Sequence, residues 1–344
     1  MILGVESSCD ESALAVFDPS QGIVWSVVHS QLDIHREFGG VVPDLAAREH
    51  LGHFSRLFLE FRRSIDPNEI TQVAVTRGPG LAGCLAVGIA AAKGFSIYND
   101  CPIVGVNHLV GHAWSPFLGI HTAAPSSFRE EVDQLLPHLG LIVSGGNTLL
   151  FRIEKDLELS ILAETRDDAA GEALDKGAKL LGLPYPGGVE IERLAQEGNP
   201  RAFQFPRAFA DSTDRAFSFS GVKTSLRYRL EKMDSLSIKS SMNDLCASYQ
   251  EAVVDALCRK VEQVLKGEET IRSLGLSGGV ANNRSLRSRF TAIGEEKKLP
   301  ALIADPELTG DNAAMIAFAA FADSDRVAED GDSLSFEPSL QLTE

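Results

Sequence analysis

The sequence lacks any apolar run long enough to cross a membrane. The longest, at about Leu81–Ala92, is shorter than a bilayer-spanning helix, and Gly83 and Gly88 interrupt it. The first twelve residues also lack the basic start of a secretory signal and carry three acidic residues instead. We therefore expect a cytoplasmic protein that has no membrane partner.

Cysteine and basic residues are both scarce. The five cysteines in 344 residues are odd in number and form no C-x-x-C pair, which suits a reducing compartment. Lys and Arg number 32 against 48 Asp and Glu, so the net charge is −16. Because the neutralisation of phosphates requires clustered Lys and Arg, this charge excludes broad, unaided binding to nucleic acid. A local basic patch or a basic partner remains compatible with it.

The two common nucleotide motifs are absent, namely the G-x-x-x-x-G-K-[ST] of a P-loop and the G-x-G-x-x-G of a Rossmann unit. Instead, paired-glycine turns follow two short apolar strands, at 144–147 and 277–283, and a third lies at 185–188. A single pair is usually only a tight turn. However, glycine lets the backbone approach a phosphate or ribose, and successive N–H groups form an anion-binding nest. Three such turns favour a nucleotide cradle.

Two histidines, His108 and His112, lie four residues apart in an apolar segment. In a helix this spacing brings both imidazoles to one face, where they can bind a single ion. A metalloprotease helix of the H-E-x-x-H type carries a glutamate directly after the first histidine, and here that residue is Leu109. The pair can hold a metal but supplies no water-activating carboxylate. The alternative is two partly buried histidines that pack on an apolar helix.

Apolar periodicity divides the chain into two similar halves. Each half begins with three strands and continues through helices, another strand and a further helix. This pattern predicts two mixed α/β lobes with a cleft between them. We place the lobes at 1–130 and 131–310, with a helix at about 311–323 that packs back on the first lobe and an acidic, frayed tail at 324–344. The Phe- and Arg-rich stretch 205–220 is predicted to be a long irregular insertion.

Ten short motifs occur in order between about residues 2 and 322, and their ranges are Glu6–Ser12, Phe38–Asp44, Gly78–Leu81, His108–His112, Ser144–Asn147, Asp167–Lys176, Tyr185–Gly188, Phe217–Lys223, Gly278–Asn283 and Gly310–Ala317. Together they resemble the TsaD family of tRNA N6-adenosine threonylcarbamoyltransferases. The resemblance implies the actin/Hsp70/sugar-kinase fold. It also implies transfer of a threonylcarbamoyl group from threonylcarbamoyl-adenylate to N6 of the adenosine 3′ of the anticodon. The tRNAs concerned read codons that begin with A, and AMP is released.

The resemblance also assigns binding residues. His108, His112 and Asp311 match the metal ligands of the family, and this set suits Fe(II), or alternatively zinc, with open positions for a substrate oxygen. The positions that match the adenylate site are Ile142, Val143, Ser144, Gly145, Gly146, Asn147, Asp175, Gly188, Glu192 and Asn283. Asp175 and Glu192 are expected to accept hydrogen bonds from ribose hydroxyls, unless they are exposed helix charges.

Two interpretations stay open for each of three acidic residues. Asp311, taken alone, would be the N-cap of an apolar helix at 313–321, and it can serve as a cap and a ligand together. Asp10 or Glu11 is our candidate for the proton acceptor, because an amine conjugated to a purine is a poor nucleophile. The alternative for Asp10 and Glu11 is a solvated pair in a turn.

The implied partners are tRNA, a TsaB-like paralogue and a TsaE-like ATPase. Five basic residues are expected either to form this chain's share of the tRNA contact or to pair with nearby acidic residues. They are Arg201, Arg207, Arg215, Lys223 and Arg227. The chain departs from common family residues at Val110, Asn147 and Gly310, although every metal ligand is retained. Two other classes stay open, an ATP-dependent phosphotransferase of the sugar- or acetate-kinase type and a metalloprotease.

Overall fold

The computed structural model describes residues 1–209, 214–326 and 331–344. The chain forms two compact units, one made of Met1–Gln134 with Ala304–Glu344 and the other of Leu135–Ile303. The segment before Asp311, which we expected in the second lobe, belongs to the first unit because it leads into a helix that packs there. Over the described ranges, no helix combines the length and apolarity that a membrane span requires.

The first unit contains a five-stranded mixed sheet with the strand order β3-β2-β1-β4-β5. Strand β1 pairs antiparallel with β2 and parallel with β4. The elements of this unit are β1 Ile2–Glu6, β2 Glu11–Asp18, β3 Gly22–Ser30, α1 Leu32–Arg36, α2 Pro43–Ser64, β4 Gln72–Gly78, α3 Ala82–Asn99, β5 Ile103–Asn107, α4 His108–Trp114, α5 Leu118–Ala123, α6 Phe128–Leu135 and, near the end of the chain, α13 Ala313–Ala322.

Side-chain size differs between the two faces of this sheet. Leu3 and Val5 of β1 belong to the core that β1 forms with α2 and α3. On the opposite face, the small residues Ala13 and Ala15 of β2 pack against the start of α13, whereas Phe17 of the same strand contacts Phe318 further along that helix. Because successive strand residues point to opposite faces, this alternation of large and small residues lets α13 lie close to the sheet.

The second unit repeats the same plan. Its strand order is β11-β10-β6-β7-β8-β9, in which β6 pairs antiparallel with β7 and parallel with β10. The duplicated sequence pattern thus corresponds to one strand order used twice, with β9 added. The elements are β6 His138–Val143, β7 Thr148–Ile153, β8 Leu159–Thr165, α7 Ala170–Leu180, α8 Gly187–Ala195, β9 Ala216–Phe217, α9 Ser220–Leu230, α10 Ser235–Ser240, α11 Met242–Leu265, β10 Ser273–Ser277, α12 Arg284–Lys297 and β11 Ala301–Ile303.

Two predictions about irregular segments were wrong. The stretch 205–220 is not irregular throughout, because β9 pairs with β8 and α9 begins at Ser220, although residues 210–213 lie outside the described ones. The described part of the tail does not fray. Leu334, Leu340 and Leu342 are buried, and the Glu337 N–H donates to the Arg77 carbonyl oxygen at 2.7 Å. Spaced leucines anchor this acidic segment, since burying them removes apolar surface from water.

Candidate metal centre and nucleotide site

The helix α4 begins directly where β5 ends, and it carries both histidines. The Asn107 side-chain oxygen accepts the N–H of Leu109 at 2.9 Å, so Asn107 is the N-cap that starts the helix at His108. All seven residues of α4 are buried. Gly111 permits close packing on α13, because a Cβ there would lie 3.0 Å from Ile316 Cδ1. The two histidines are therefore held on a short, fully packed helix.

Asp311 reaches the histidines because α13 begins against β1. A Cβ at Gly4 would lie 2.1 Å from the Ala313 carbonyl oxygen, so this approach requires glycine. The alternative interpretation of Asp311 as the cap of α13 is wrong, because the cap is Asn312, whose side chain accepts the N–H of Met315 at 2.9 Å. The Asp311 carboxylate instead faces α4, with Oδ1 3.1 Å from His112 Nε2 and 3.4 Å from His108 Nε2.

These three side chains fit a divalent metal ion. One ligand atom from each of His108, His112 and Asp311 lies within 4.8 Å of the other two. Two imidazoles and one carboxylate form a set that Fe(II) or zinc binds while other coordination positions stay open. Both histidines are buried, whereas the Asp311 side chain is 21% exposed, so the group opens towards solvent on the carboxylate side.

The charges of these groups are strongly linked when no cation is bound. Burial alone would lower the pKa of His108, but the negative charges of Asp311 and Glu6 outweigh it and hold that pKa well above its usual range. Burial dominates for His112 and lowers its pKa. Burial would raise the pKa of Asp311, yet the two histidines hold it below its usual range. Without a cation the centre therefore combines an ionised Asp311 with a His108 ring that holds its proton tightly. One proton has to leave His108 before a cation can bind, because a ligand imidazole must be neutral.

Glu6 is a buried carboxylate beside the centre that the sequence analysis did not select as a site residue. It ends β1, and its Oε2 lies 3.1 Å from His108 Nδ1. The same carboxylate accepts hydrogen bonds from the Thr76 hydroxyl and the Ser8 N–H. The sequence contained one signal for this role, namely a glutamate at the end of an otherwise apolar strand. An ionised carboxylate is rarely fully buried without partners, so a glutamate in that position indicates nearby polar groups.

Asp10 and Glu11 are not a solvated turn pair. Asp10 is only 7% exposed, and Glu11 begins β2, where the Ser30 hydroxyl donates to its Oε1 at 3.2 Å. Burial, together with the negative charges of Asp10 and Asp311, raises the pKa of Glu11 well above its usual range. Within this unit, Glu11 is therefore a carboxyl group whose affinity for a proton is enhanced.

In the second unit, the predicted turn follows β6 directly. Ile142 and Val143 are buried in the strand, and the Ser144 hydroxyl accepts the Asn147 N–H at 3.0 Å to close the turn. A Cβ added to Gly145 or Gly146 would meet no described atom within 4 Å, so packing does not account for glycine there. The open glycines leave room for a ligand to approach the backbone.

The side chains of the other nucleotide candidates contact helix N-termini. Asp175 Oδ1 accepts the Gly188 N–H at 3.1 Å near the start of α8. Glu192 Oε1 accepts the Arg284 N–H at 2.7 Å at the start of α12. Asn283 caps α12 through its contact with the Leu286 N–H, and its Nδ2 donates to Gln250 Oε1 at 2.8 Å. The structure thus gives Asp175, Glu192 and Asn283 local partners that order the two helix starts.

Most of the basic residues proposed for tRNA contact pair with acids. The pairs are Arg207 with Asp255 at 2.5 Å, Arg215 with Glu268 at 3.3 Å, Lys223 with Asp168 at 2.7 Å and Arg227 with Glu231 at 3.8 Å. Asp255 and Asp168 are largely buried, so Arg207 and Lys223 are held in ion pairs with buried acids.

Arg227 and Arg201 are exposed. The Arg227 side chain is 55% exposed, and its ion pair with Glu231 is both long and exposed to solvent. Exposed ion pairs of this kind are weak, so Arg201 and Arg227 remain available to a polyanion.

The fold and the buried centre together define an α/β protein of the actin/Hsp70/sugar-kinase type with a two-histidine, one-carboxylate group. The activator of the 2-hydroxyisocaproyl-CoA dehydratase from Clostridium difficile superposes with a TM-score of 0.53 at 15% identity, covering 94% of this chain and 95% of that one. Full-length HypF in its phosphate- and nucleotide-bound form gives 0.57 at 11% identity over 94% of this chain and 55% of that one. These similarities support the fold, which agrees with the expectation.

The chain belongs to the TsaD family of tRNA N6-adenosine threonylcarbamoyltransferases, whose family model matches residues 22–318. A relative of that name from Thermosipho melanesiensis is 43% identical over 93% of this chain and 94% of its own length. Another from Anaeromyxobacter dehalogenans is 44% identical over 99% of both chains. The chain is accordingly a transferase of an acyl group that acts in tRNA processing, as the ordered motifs indicate.

Proposed function

We propose that this chain transfers the threonylcarbamoyl group of threonylcarbamoyl-adenylate to N6 of the adenosine 3′ of the anticodon, in tRNAs that read codons beginning with A, and releases AMP. The observation that carries the proposal is the convergence of His108, His112 and Asp311 within 4.8 Å in a chain that the family model covers. A phosphotransferase would give this buried group no role. A metalloprotease would need a general base where α4 has Leu109.

His108, His112 and Asp311 would hold one divalent ion, Fe(II) in preference to zinc. When bound, the ion supplies Lewis acidity that polarises the threonylcarbamoyl carbonyl. The residues themselves contribute rigidity. The Asn107 cap and the packing of α4 on α13 hold the imidazoles in place in the metal-free protein. Metal binding therefore costs little conformational entropy.

The adenylate would bind to the glycine turns of the second unit. Ile142 and Val143 end a buried strand, and the open backbone at Gly145 and Gly146 suits a close approach by the nucleotide. An ionised carboxylate accepts several hydrogen bonds, so Asp175 and Glu192 can each order a helix N–H and accept from a ribose hydroxyl as well. The remaining members of this site are Ser144, Asn147, Gly188 and Asn283.

Glu11, with Asp10 beside it, would accept the proton that the adenine amine loses during acylation. A general base works best when its pKa lies near the working pH, and burial with two neighbouring negative charges raises the pKa of Glu11 in that direction. Asp10 contributes one of those charges and is itself buried. The pair therefore supports proton transfer better than a solvated turn would.

A TsaB-like paralogue would cover an apolar surface on α2 and α3, and a TsaE-like ATPase would join the pair. Four large apolar side chains on these two helices are more than half exposed, namely Leu51, Leu59, Ile97 and Tyr98. Because α2 and α3 pack side by side, large exposed apolar side chains on both helices favour an interaction surface there. Because the chain has a net charge of −16, a partner that adds basic surface would also help tRNA to bind. Five free thiols and a tRNA substrate support a cytoplasmic site of action.

The deciding experiment combines the chain, its TsaB-like partner, synthetic threonylcarbamoyl-adenylate and a tRNA that reads a codon beginning with A. We expect AMP and the modified nucleoside to form in equal amounts, by chromatography of the reaction and of digested tRNA. A matched tRNA with guanosine at the target position should release no extra AMP. Hydrolysis of the adenylate without modification of tRNA, at every metal loading, would refute the transferase proposal.

A further inference from the structure

The His108 imidazole is held by a carboxylate on the side that faces away from Asp311. Glu6 Oε2 lies 3.1 Å from His108 Nδ1, while His108 Nε2 lies 3.4 Å from Asp311 Oδ1. The Ser8 hydroxyl is also near Nδ1, but at the longer distance of 3.3 Å. His112 differs, because its Nδ1 is buried and makes no hydrogen bond to any described residue.

Glu6 is fixed independently of the histidine. Its side chain is fully buried, the Ser8 N–H donates to Oε1 at 2.5 Å and the Thr76 hydroxyl donates to Oε2. Thr76 lies on β4, which pairs with β1, so the carboxylate is positioned by two neighbouring strands. A buried carboxylate needs several donors to stay ionised, and here the third donor is the His108 ring.

We propose that Glu6 is a positioning residue for the metal, which accepts the Nδ1–H of His108 and so directs the Nε2 lone pair towards Asp311. An imidazole that donates one N–H to a carboxylate keeps one tautomer and one ring orientation, and its other nitrogen becomes the stronger ligand. This inference rests on the proposed metal centre. It assigns the two histidines different duties, because Glu6 holds His108 from its Nδ1 side, whereas His112 is oriented by packing and by its Nε2 contact with Asp311.

Metal titration of the full-length apo-protein tests the inference, with zinc as the probe and calorimetry as the readout. We expect Glu6→Gln to keep one site but weaken the dissociation constant by about 10- to 100-fold, the usual effect of losing such a partner. Thr76→Val removes another donor from the same carboxylate and should weaken zinc binding less than Glu6→Gln does. Equal affinities in wild type and Glu6→Gln would overturn the inference, as would an equal or larger loss in Thr76→Val.

A second measurement separates this inference from the metal centre itself. In the zinc-loaded wild-type protein, nitrogen NMR should show His108 protonated at Nδ1 and bound to zinc through Nε2. Zinc bound through His108 Nδ1 would overturn the role of Glu6 while leaving the centre intact. Failure of the wild type to bind any zinc or Fe(II) would instead remove the centre and the inference together.

Discussion

Asp311 Oδ1 lies 3.1 Å from His112 Nε2, although 199 residues separate them along the chain. The contact joins the start of α13 to α4 within one compact unit. Because Asn312 takes the capping role, the Asp311 carboxylate is not committed to its own helix. This arrangement brings a third candidate ligand to a histidine pair that would otherwise be two buried rings.

The first prediction concerns metal content. His112→Ala should remove most of the bound metal and the transfer activity, because only two of the three protein ligands would remain to bind the ion. Elemental analysis of the purified variant provides the measurement, and circular dichroism checks the fold. The control is His29→Ala, a surface histidine of the same unit that pairs with Glu60. A full complement of metal in His112→Ala would show that the ion lies elsewhere.

The second prediction concerns nucleotide affinity. Asp175→Ala should weaken the binding of AMP or ATP by about 1–3 kcal/mol, the scale of a lost hydrogen bond to a charged group. Because Asp175 also accepts the Gly188 N–H, thermal unfolding must be followed in parallel. Glu190→Ala, on α8 but paired with Arg193, is the matched control and should bind normally. Calorimetry that gives wild-type affinity for a folded Asp175→Ala would place this residue outside the nucleotide site.

The third prediction concerns tRNA. Arg201→Glu with Arg227→Glu, in the complex with the TsaB-like partner, should lower tRNA affinity and reduce the salt slope by about one for each phosphate that the arginines no longer neutralise. Arg207 and Lys223 are less suitable test positions, since reversing either charge would place a second negative charge in the largely buried ion-pair networks of Asp255 and Asp168. Lys297→Glu on α12 is the control, which reverses one charge where the double variant reverses two, and it should bind tRNA normally. An unchanged salt slope would mean that neither arginine contacts tRNA.

The fourth prediction concerns the partner surface on α2 and α3. Leu51→Glu with Ile97→Glu should abolish pairing with the TsaB-like protein, because each places a charge where an apolar contact is expected. Light scattering of the mixed proteins measures the complex. Leu236→Glu changes a residue that is 81% exposed in the second unit and should leave the complex intact. If the double variant still pairs at wild-type affinity, the partner docks on another surface.

The fifth prediction concerns pH. Burial lowers the pKa of His138 to about 3, whereas an unfolded histidine titrates near pH 6.5. The unfolded chain therefore binds an extra proton below pH 6.5. The stability that neutral His138 contributes is complete above that pH and is lost as the pH falls towards 3.

Between pH 4 and 5.5 this residue should make the free energy of unfolding fall by about 1.4 kcal/mol per pH unit. His138→Gln can retain a bond to the Ser273 hydroxyl, which lies 2.7 Å from His138 Nδ1, while removing the proton-binding group. Urea unfolding across this range should show a slope shallower by that amount. Identical slopes in the two proteins would contradict a low pKa for His138.

Local pattern was enough to predict much of the fold and part of the site. Strand and helix periodicity predicted two similar α/β halves, and the four-residue spacing predicted that His108 and His112 share a helix face. The order of motifs predicted the family, which the comparisons bear out. These features depend on neighbours in the chain, so the sequence carries them directly.

Long-range packing decided the rest. Glu6 meets His108, Asp311 meets His112 and Arg207 meets Asp255 across 102, 199 and 48 positions of the chain, so local pattern does not specify these contacts. The tail of the chain folds back for the same reason, because its leucines find apolar surface that exists only once the first unit has formed. Periodicity specifies which face of an element is buried, but the partner on that face is chosen by tertiary packing.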